Sequence, residues 1–213
     1  MKLYDWQGAP NPQRVIIFIR EKCLDVEIVN VGNPTDAALS ADYLSNNPHR
    51  LVPILELEDG TKIGEAMAIC RYLETAYPEK RLMGINPLDQ AIVDMWERRA
   101  DIEGLGAIAE IFRNSHPAFI DRGLPGQTED IPQISDLVVR GRKRANWFFS
   151  KFDIQIGENP YITGEYFTVA DITAFCATRF ALNVCKIEIP PSCKNFIRWY
   201  KSVSSRSSIK NQP

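Results

Sequence analysis

The side chains of this chain that could bind a metal ion or carry redox chemistry are its cysteines and histidines, and their spacing favours neither use. The five cysteines form no Cys-x-x-Cys pair and lie mostly among apolar residues, which predicts buried, reduced thiols: Cys23, Cys70, Cys176, Cys185 and Cys193. Their odd number argues against a disulfide framework. The two histidines, His49 and His116, are far apart in the sequence, so we expect no metal site. Any catalysis needs another source.

The composition is that of a folded chain. With 213 residues, 45% of them hydrophobic and 24% charged, it is long enough for one large domain or two small ones. A formal net charge of −2 shows no excess of Lys and Arg, so no nucleic-acid partner is expected. The longest apolar runs, such as Val15–Ile19, are far shorter than the roughly 20 residues of a membrane span, and Asp5 and Arg14 interrupt any signal-peptide core. We therefore expect a cytoplasmic protein without a membrane partner.

The N-terminal part begins with a strand and a helix. Residues 2–6 are expected to form the strand, and an apolar helix should run through about Glu21. Asn-Pro is a natural helix start, because Asn11 can cap free backbone N–H groups while Pro12 occupies the first helical position. A second strand is expected at 26–31. Since a helix connects the two strands, they should be parallel.

A hairpin follows. Residues 52–58 and 61–63 favour strands, and Asp59-Gly60 lies between them. Asp-Gly in this position predicts a β-hairpin with a type I′ turn, which needs positive φ at both central residues.

Helices are expected on both sides of this hairpin, at about 36–45 and 65–76. The resulting order is β-α-β-α-β-β-α, and Pro53 directly precedes the third strand. This layout predicts a thioredoxin-like α/β domain over residues 1–82.

Strand signals nearly disappear after an expected linker at 83–88. Apolar residues recur at helical spacing, which predicts an all-α helical bundle over residues 89–213. Gly104 and Gly106 are expected to bend or loosen its first helix. Thr168 to Asp171 has the sequence of a capping box that starts a long buried helix, so both residues should be structural.

Three segments together resemble cytosolic glutathione transferases, and the resemblance extends over nearly the whole chain. The first is similar to the Ala-Pro-Asn-x-x-Lys/Arg-Val segment of bacterial Nu-class and fungal nitrogen-regulator-like members. The second is similar to the family's glutathione-binding stretch, and the third matches a folding signature of its C-terminal domain. These segments are Ala9–Val15, then Asn47–Pro53 with Asp59-Gly60 and Gly64–Ile69, and finally Gly164–Asp171.

The chain departs from the family pattern at several places. Arg50 stands where Gly is usual, and Ala66 where Ser commonly follows the acidic residue. No Ser or Tyr lies near the first turn, because Tyr4 belongs to the first strand. The Asn-type subset therefore fits better than the Ser or Tyr classes.

The resemblance implies that the glutathione thiol must be held as a thiolate, since a free thiol is mostly protonated at neutral pH. A helix N-terminus with a neutral donor can stabilise the sulfur's charge. Asn11 is at that place, and its amide carries two donor hydrogens. The alternative is that Asn11 is only a helix cap, and the two roles are compatible.

The remaining glutathione contacts are also implied by the resemblance. Pro53 is cis in thioredoxin-like folds, so Val52 would pair through its backbone with the cysteinyl part of glutathione. The alternative is an ordinary proline at a strand start. Glu65 and Ala66 would open a helix whose N–H groups face the γ-glutamyl carboxylate, while the Glu65 carboxylate takes the ammonium. Alternatively, Glu65 only complements the helix dipole.

Two further sets of residues are less specific. His49 and Arg50 could reach the glycyl carboxylate or could be solvated loop residues, and Leu51 replaces a Lys or Gln that often contacts it. The acceptor pocket is expected between the domains, with most of its candidates equally suited to the core or an interface: Pro10, Trp96, Arg99, Phe112, His116 and Phe119.

The resemblance implies a glutathione transferase acting in detoxification, with glutathione as substrate, no metal and a homodimeric assembly. The co-substrate would be electrophilic or a disulfide. Two alternatives keep the same fold: a glutathione-dependent disulfide reductase or peroxidase, and a non-catalytic interaction protein.

Overall fold

The computed structural model describes residues 1–32, 47, 51–127 and 129–210. The helix expected at 36–45 lies outside these residues. The chain divides into two units. Unit 1 is Met1–Lys80 together with Leu124–Ile131, and unit 2 is Arg81–Gly123 together with the chain from Pro132.

Unit 1 contains a four-stranded sheet in the order β2-β1-β3-β4. Its strands are β1 (Lys2–Asp5), β2 (Glu27–Asn30), β3 (Ile54–Glu56) and β4 (Lys62–Gly64). Strand β1 pairs with β2 in parallel, as the sequence predicted, while β3 is antiparallel to both β1 and β4. Leu3 is aligned with Leu55 across β1 and β3, and both side chains are fully buried.

The hairpin between β3 and β4 is confirmed, but the predicted type I′ turn is wrong. Only Gly60 has a positive φ, at 84°, while Asp59 does not. The Leu57 N–H donates to the Thr61 oxygen, and the Gly60 N–H donates to the Leu57 oxygen. The loop is therefore three residues long, with a left-handed glycine at its end. The Asp59 carboxylate accepts from the Thr61 N–H at 2.9 Å and holds this alternative arrangement.

Two described helices pack in unit 1, α1 (Pro10–Glu21) and α2 (Ala66–Ala76). They contact each other, and α2 also contacts β3 and β4. Their apolar faces supply the buried core together with β1 and β3, through Leu3, Val15, Ile17, Phe18, Leu55, Ile69 and Leu73.

A buried lysine joins the C-terminal ends of α1 and α2. Lys22 Nζ lies 2.7 Å from the Glu74 carboxylate and donates to the Tyr77 carbonyl oxygen at 2.8 Å. The next residue, Cys23, has φ 55° and is exposed, so the expectation of buried cysteines is wrong there. This left-handed residue follows the end of α1, and Lys80 Nζ donates to its Sγ at 2.9 Å.

The described part of unit 2 is helical apart from its loops, which confirms the predicted all-α C-terminal domain. Its helices are α3 (Pro87–Arg99), a π-helical segment (Ala100–Leu105), α4 (Gly106–Ser115), a 3₁₀ turn (Pro117–Phe119), α5 (Ser135–Ile156), α6 (Val169–Asn183), α7 (Lys194–Ser204) and α8 (Ser207–Lys210). Helix α3 begins within the segment expected as linker, because Asn86 is an N-cap whose side chain accepts from the Asp89 N–H, and Pro87 suits the first helical position.

Two glycines allow close approaches in unit 2. A Cβ on Gly141 of α5 would lie 2.6 Å from Ile111 Cγ1 and 2.9 Å from the Ala107 oxygen, both on α4. A Cβ on Gly104 would lie 2.8 Å from the ring of Phe148. Gly104 lies in the π-helical segment, which agrees with the predicted irregularity at this place.

Aromatic side chains fill much of the unit 2 core. Rings of α5 and α7 pack at centroid distances of 4.6–5.6 Å, through Phe148, Phe149, Phe152, Phe196 and Trp199. Among the residues that the structure describes, no helix is long and apolar enough to cross a membrane.

Candidate active site

Asn11 lies in the exposed first turn of α1, but not at the position expected of a cap. The helix begins at Pro10 with Ala9 as N-cap, so Asn11 is the second helical residue. No side chain caps this end, and the alternative in which Asn11 is the N-cap is wrong. The reason is Pro10, whose fixed φ suits the first helical position and starts the helix earlier.

The first turn of α1 has few N–H donors. Pro10 and Pro12 carry no N–H, and the Gln13 N–H is directed to the Ala9 oxygen at 3.4 Å. Asn11 therefore supplies the backbone N–H of this turn as well as a side-chain amide. Its Oδ1 accepts a 2.9 Å hydrogen bond from Arg14 Nη1.

The chain entering β3 is the second part of the site. The Val52–Pro53 peptide bond is cis, as the resemblance implied. Val52 is half-buried and Pro53 buried. Just before them, the buried Asn47 side chain donates to the Leu51 carbonyl oxygen at 2.7 Å and fixes the approach to the strand. His49 and Arg50 lie outside the described residues.

The third part is the start of α2. Glu65 is exposed and has φ 64°, a conformation that is sparsely populated for residues other than glycine. Its carbonyl oxygen accepts the first intrahelical bond, from the Ile69 N–H at 3.0 Å. The N–H groups of Ala66, Met67 and Ala68 precede that bond, and no side chain caps them. This end of the helix is suited to an anion.

Three of the residues expected in the acceptor pocket pack together in unit 2. Phe112, His116 and Phe119 form one cluster at the end of α4, with ring centroids 4.9–5.8 Å apart. Phe119 is buried and His116 exposed, where its Nδ1 accepts from the Ala118 N–H.

Each of the other acceptor candidates has its own local contacts. Trp96 packs edge-on against Phe152 at 5.3 Å, and the Arg99 guanidinium lies over the Trp96 ring. Arg99 also pairs with Glu103. Pro10 belongs to unit 1 and starts α1.

Asp5, at the end of β1, is a buried carboxyl that the sequence did not single out. It is 6% exposed, and burial raises its pKa to about 6, while a hydrogen bond from the Trp6 backbone opposes the shift. Its Oδ1 has no hydrogen-bond partner among the described residues. The preceding alternation in β1 places Asp5 on the same face as the buried Leu3, which was the available signal.

Comparison with known proteins decides the family. Two family models match the chain: Glutathione S-transferase, N-terminal domain, at residues 3–81, and Glutathione S-transferase, C-terminal domain, at residues 141–211. Glutathione S-transferase 2 of Saccharomyces cerevisiae is 31% identical over 212 residues, which cover 99% of this chain and 88% of the relative. The chain belongs to the glutathione S-transferase family.

Solved structures of the family agree. Gtt2 from Saccharomyces cerevisiae has a TM-score of 0.87 at 30% identity, and the match covers 99% of both chains. A glutathione S-transferase of class Gtt2 from Vibrio parahaemolyticus has a TM-score of 0.82 at 32% identity, covering 99% of this chain and 96% of that one. The family resemblance and the thioredoxin-like fold are confirmed. The protein is a glutathione transferase, with glutathione as its substrate.

The C-terminal signature of this transferase forms the predicted capping box. Asp171 Oδ2 accepts from the Thr168 N–H at 3.0 Å, and the Thr168 side chain accepts from the Asp171 backbone. Asp171 is fully buried, and this burial raises its pKa to about 6. Its Oδ1 accepts from the Ile162 N–H and from Trp199 Nε1.

The transferase shows no metal cluster where it can be described. Among residues 1–32, 47, 51–127 and 129–210, no group of three or more His, Cys, Asp and Glu is placed to hold a metal ion.

Proposed function

We propose that this glutathione transferase activates its substrate through Asn11. The glutathione thiol releases its proton to solvent water, and the resulting thiolate attacks an electrophilic carbon of the second substrate. A carbon–sulfur bond forms as the leaving group departs with its electron pair, or as an activated double bond takes up a proton. The role of Asn11 is to stabilise the thiolate with hydrogen-bond donors.

The observation that carries this proposal is the exposed place of Asn11 in the first turn of α1. The positive end of the helix dipole is there, and two prolines leave Asn11 to provide both a backbone and a side-chain donor. A hydrogen bond to a charged group contributes about 1.5–3 kcal/mol, which corresponds to about one to two units of thiol pKa. That lowers the pKa of an ordinary thiol from near 8.5 to between about 6.5 and about 7.5, so a substantial fraction is thiolate at neutral pH.

The rest of glutathione would lie along unit 1. The start of α2 supports binding of the γ-glutamyl carboxylate by its N–H groups, with the exposed Glu65 carboxylate accepting from the ammonium. The backbone of Val52, held by the Asn47–Leu51 contact, is proposed for the cysteinyl part. His49 and Arg50 are proposed for the glycyl carboxylate.

The acceptor would be a small electrophile with an aromatic or other apolar group. Support comes from the cluster of Phe112 and Phe119 beside the exposed His116, and from the partly exposed Trp96. Arg99, whose guanidinium lies over the Trp96 ring, is a further candidate for contact with the acceptor. Reduction of glutathione-linked disulfides is a second reaction that the same thiolate could perform, as the Asn-type resemblance implies.

We propose that the transferase is a homodimer. One face of α3 presents large apolar side chains to solvent at helical spacing: Leu88 is 71% exposed, Ile92 37% and Met95 46%. Burying this face against a second copy would remove a contiguous apolar stripe from water. Sedimentation of Met95→Glu at falling protein concentration tests this, since the variant should dissociate at concentrations where the unmodified chain stays dimeric.

We further propose a cytoplasmic location and domain boundaries at 1–82, 83–88 and 89–213. The free state of all five cysteines supports a reducing compartment. The division of the chain near Lys80 supports the boundary.

The deciding experiment compares Asn11→Ala and Asn11→Ser in the glutathione complex. The thiolate is titrated by ultraviolet absorbance, and turnover is measured with a chloro-nitroaromatic acceptor and with hydroxyethyl disulfide. Asn11→Ala should raise the pKa of the bound thiol by about one to two units. Asn11→Ser keeps a donor and should retain more activity.

An unshifted thiol pKa in Asn11→Ala contradicts this role. Other groups of unit 1 would then stabilise the thiolate. Turnover with the disulfide alone would assign the reductase activity. Retention on immobilised glutathione without turnover of either substrate would support the non-catalytic alternative.

A further inference from the structure

A buried guanidinium contacts the amide on which the proposed mechanism depends. Arg14 is 3% exposed, and its Nη1 donates to Asn11 Oδ1 at 2.9 Å, one helical turn away. A cation this close to a helix N-terminus is not favoured by the helix dipole, which prefers negative charge there. The helix dipole therefore does not account for the hydrogen bond from Arg14 to the Asn11 amide.

The chemistry of the pair fixes the orientation of the amide. A guanidinium carries only donors, so it can bond the oxygen of Asn11 but not its NH₂ group. While Arg14 holds Oδ1, the two hydrogens of Nδ2 point to the other side of the amide. If the amide were flipped, its oxygen would take the place of the NH₂ group on the side away from Arg14. The lone pairs of that oxygen would repel a thiolate.

The same contact strengthens the amide as a donor. A positively charged donor on the oxygen draws electron density through the amide, and hydrogen bonds in a chain reinforce one another. The effect is larger where the charged partner is shielded from water, as Arg14 is.

We propose that Arg14 is a positioning residue, which locks the Asn11 side chain with its NH₂ group towards the glutathione sulfur and polarises it. This inference rests on the proposed function of Asn11. Arg14 itself does not touch the thiol in this scheme. It acts through the amide, so its effect should disappear when the amide is absent.

Two substitutions of Arg14 test whether it acts by orienting the Asn11 amide or only by filling the space beside it. Arg14→Gln introduces a side chain that can donate and accept, so it can bond either face of the Asn11 amide and permits the flipped state. Arg14→Lys still offers only donors and keeps the positive charge, so it preserves the orientation. Both are made in the full chain, alone and combined with Asn11→Ala.

The primary measurement is the ultraviolet titration of the thiol in the glutathione complex. We expect Arg14→Gln to raise the thiol pKa by about half a unit to one unit, less than Asn11→Ala does, with a three- to tenfold lower turnover at neutral pH that partly recovers at high pH. Arg14→Lys should stay closer to the unmodified enzyme than Arg14→Gln does. In the Asn11→Ala background, Arg14→Gln should shift the pKa no further.

The outcomes distinguish this inference from the proposed function. If Asn11→Ala shifts the pKa and Arg14→Gln does not, Arg14 has no positioning role while Asn11 keeps its role. If the two shifts add, Arg14 acts on the thiol independently, which also overturns the inference. If Asn11→Ala shifts nothing, the proposed function fails first. A change in thermal stability without a change in pKa would assign Arg14 a structural role only.

A second measurement applies if Arg14→Gln does not fold. The side-chain amide of Asn11 in the unmodified complex is followed by NMR, with its resonances assigned through Asn11→Ser. A locked amide gives a single pair of hydrogen resonances that move together with the thiol titration. A second pair, or exchange broadening between two orientations, overturns the proposal.

Discussion

The indole Nε1 of Trp199 donates a 2.8 Å hydrogen bond to Oδ1 of Asp171. The residue that caps α6 therefore also joins α7 to it. A single buried carboxylate accepts from the Ile162 and Thr168 N–H groups and from this indole, so three separate segments of unit 2 depend on it.

Replacing Asp171 with alanine should strongly destabilise unit 2. A lost cap costs about 0.5–2 kcal/mol, and each buried donor left without a partner adds about 1–3 kcal/mol. We expect a loss of at least about 2 kcal/mol in the free energy of unfolding, measured with urea. The folded fraction should keep its affinity for glutathione.

The matched control is Asp136→Ala, since Asp136 is also an acid in the first turn of a helix but is exposed. Its loss should stay below about 1 kcal/mol. An Asp171→Ala variant with unchanged stability but lost activity would assign the residue to the chemistry instead.

A second prediction concerns the crossing of α4 and α5. Gly141→Ala places a Cβ 2.6 Å from Ile111 Cγ1 and 2.9 Å from a backbone oxygen, so the helices must separate. Overpacking of this kind costs about 1–3 kcal/mol, which should appear as a lower melting temperature.

Gly106→Ala is the control for helix propensity, because its Cβ would lie 3.4 Å from the Asp101 oxygen, its nearest contact. Alanine is intrinsically the better helix former, so this variant should be neutral or slightly more stable. If both variants are stabilised, the close approach at Gly141 does not control the packing.

Periodic and local patterns predicted the described fold. The parallel pairing of β1 and β2, the hairpin and the capping box at Thr168 follow from short-range rules about connections, turn residues and caps. The predicted turn type failed, because a three-residue loop lets Asp59 accept from the Thr61 N–H without a positive φ. Local sequence does not decide between two turns that the same dipeptide can form.

The candidate site was harder to predict because its details depend on a shift of one residue and on tertiary contacts. Both Pro10 and Pro12 suit the first helical position, and the choice of Pro10 moves Asn11 from cap to second helical residue. The hydrogen bond from Arg14 could be anticipated only as an i,i+3 spacing. The alternation in β1 places Asp5 on the face of Leu3, but how deeply the end of that strand is buried depends on tertiary packing.

A third prediction follows from Asp5, whose folded-state pKa is about 6 against an ordinary value of 3.8. Between these values the folded state binds more protons than the unfolded state, so stability falls as the pH rises from about 4 to about 6. Asp5→Asn should remove this component. The free energy of unfolding of Asp5→Asn, minus that of the unmodified protein, should therefore increase from about pH 4 to about pH 7. The increase should be roughly 3 kcal/mol at most.

Urea unfolding of the unmodified protein and of Asp5→Asn, at about pH 4 and at about pH 7, measures this change. The pKa of Asp171 is raised as well, but Asp171 is present in both proteins, so its contribution cancels in the comparison. Asp59→Asn is the control of opposite sign, because hydrogen bonds from Thr61 lower the pKa of that exposed carboxyl. Its stabilising effect is present at neutral pH and lost as the pH falls. A pH-independent difference for Asp5→Asn would show that Asp5 is not desolvated in solution.

The last prediction concerns Glu65, which precedes α2 in a left-handed conformation with φ 64°. If its carboxylate accepts from the glutathione ammonium, the contact is remote from the sulfur and equally strong before and during the reaction. Removing such uniform binding raises KM and leaves kcat nearly unchanged. We expect Glu65→Ala to raise the KM for glutathione about tenfold or more, as befits a hydrogen bond to a charged group, with kcat within about twofold.

Glu65→Gln keeps the size and the backbone requirement but removes the charge, so it should share most of the KM increase. Glu58→Ala, another exposed acid of unit 1, should leave both constants unchanged. A rate that saturating glutathione does not restore would place Glu65 in the chemical step, and an unchanged KM would limit it to starting the helix.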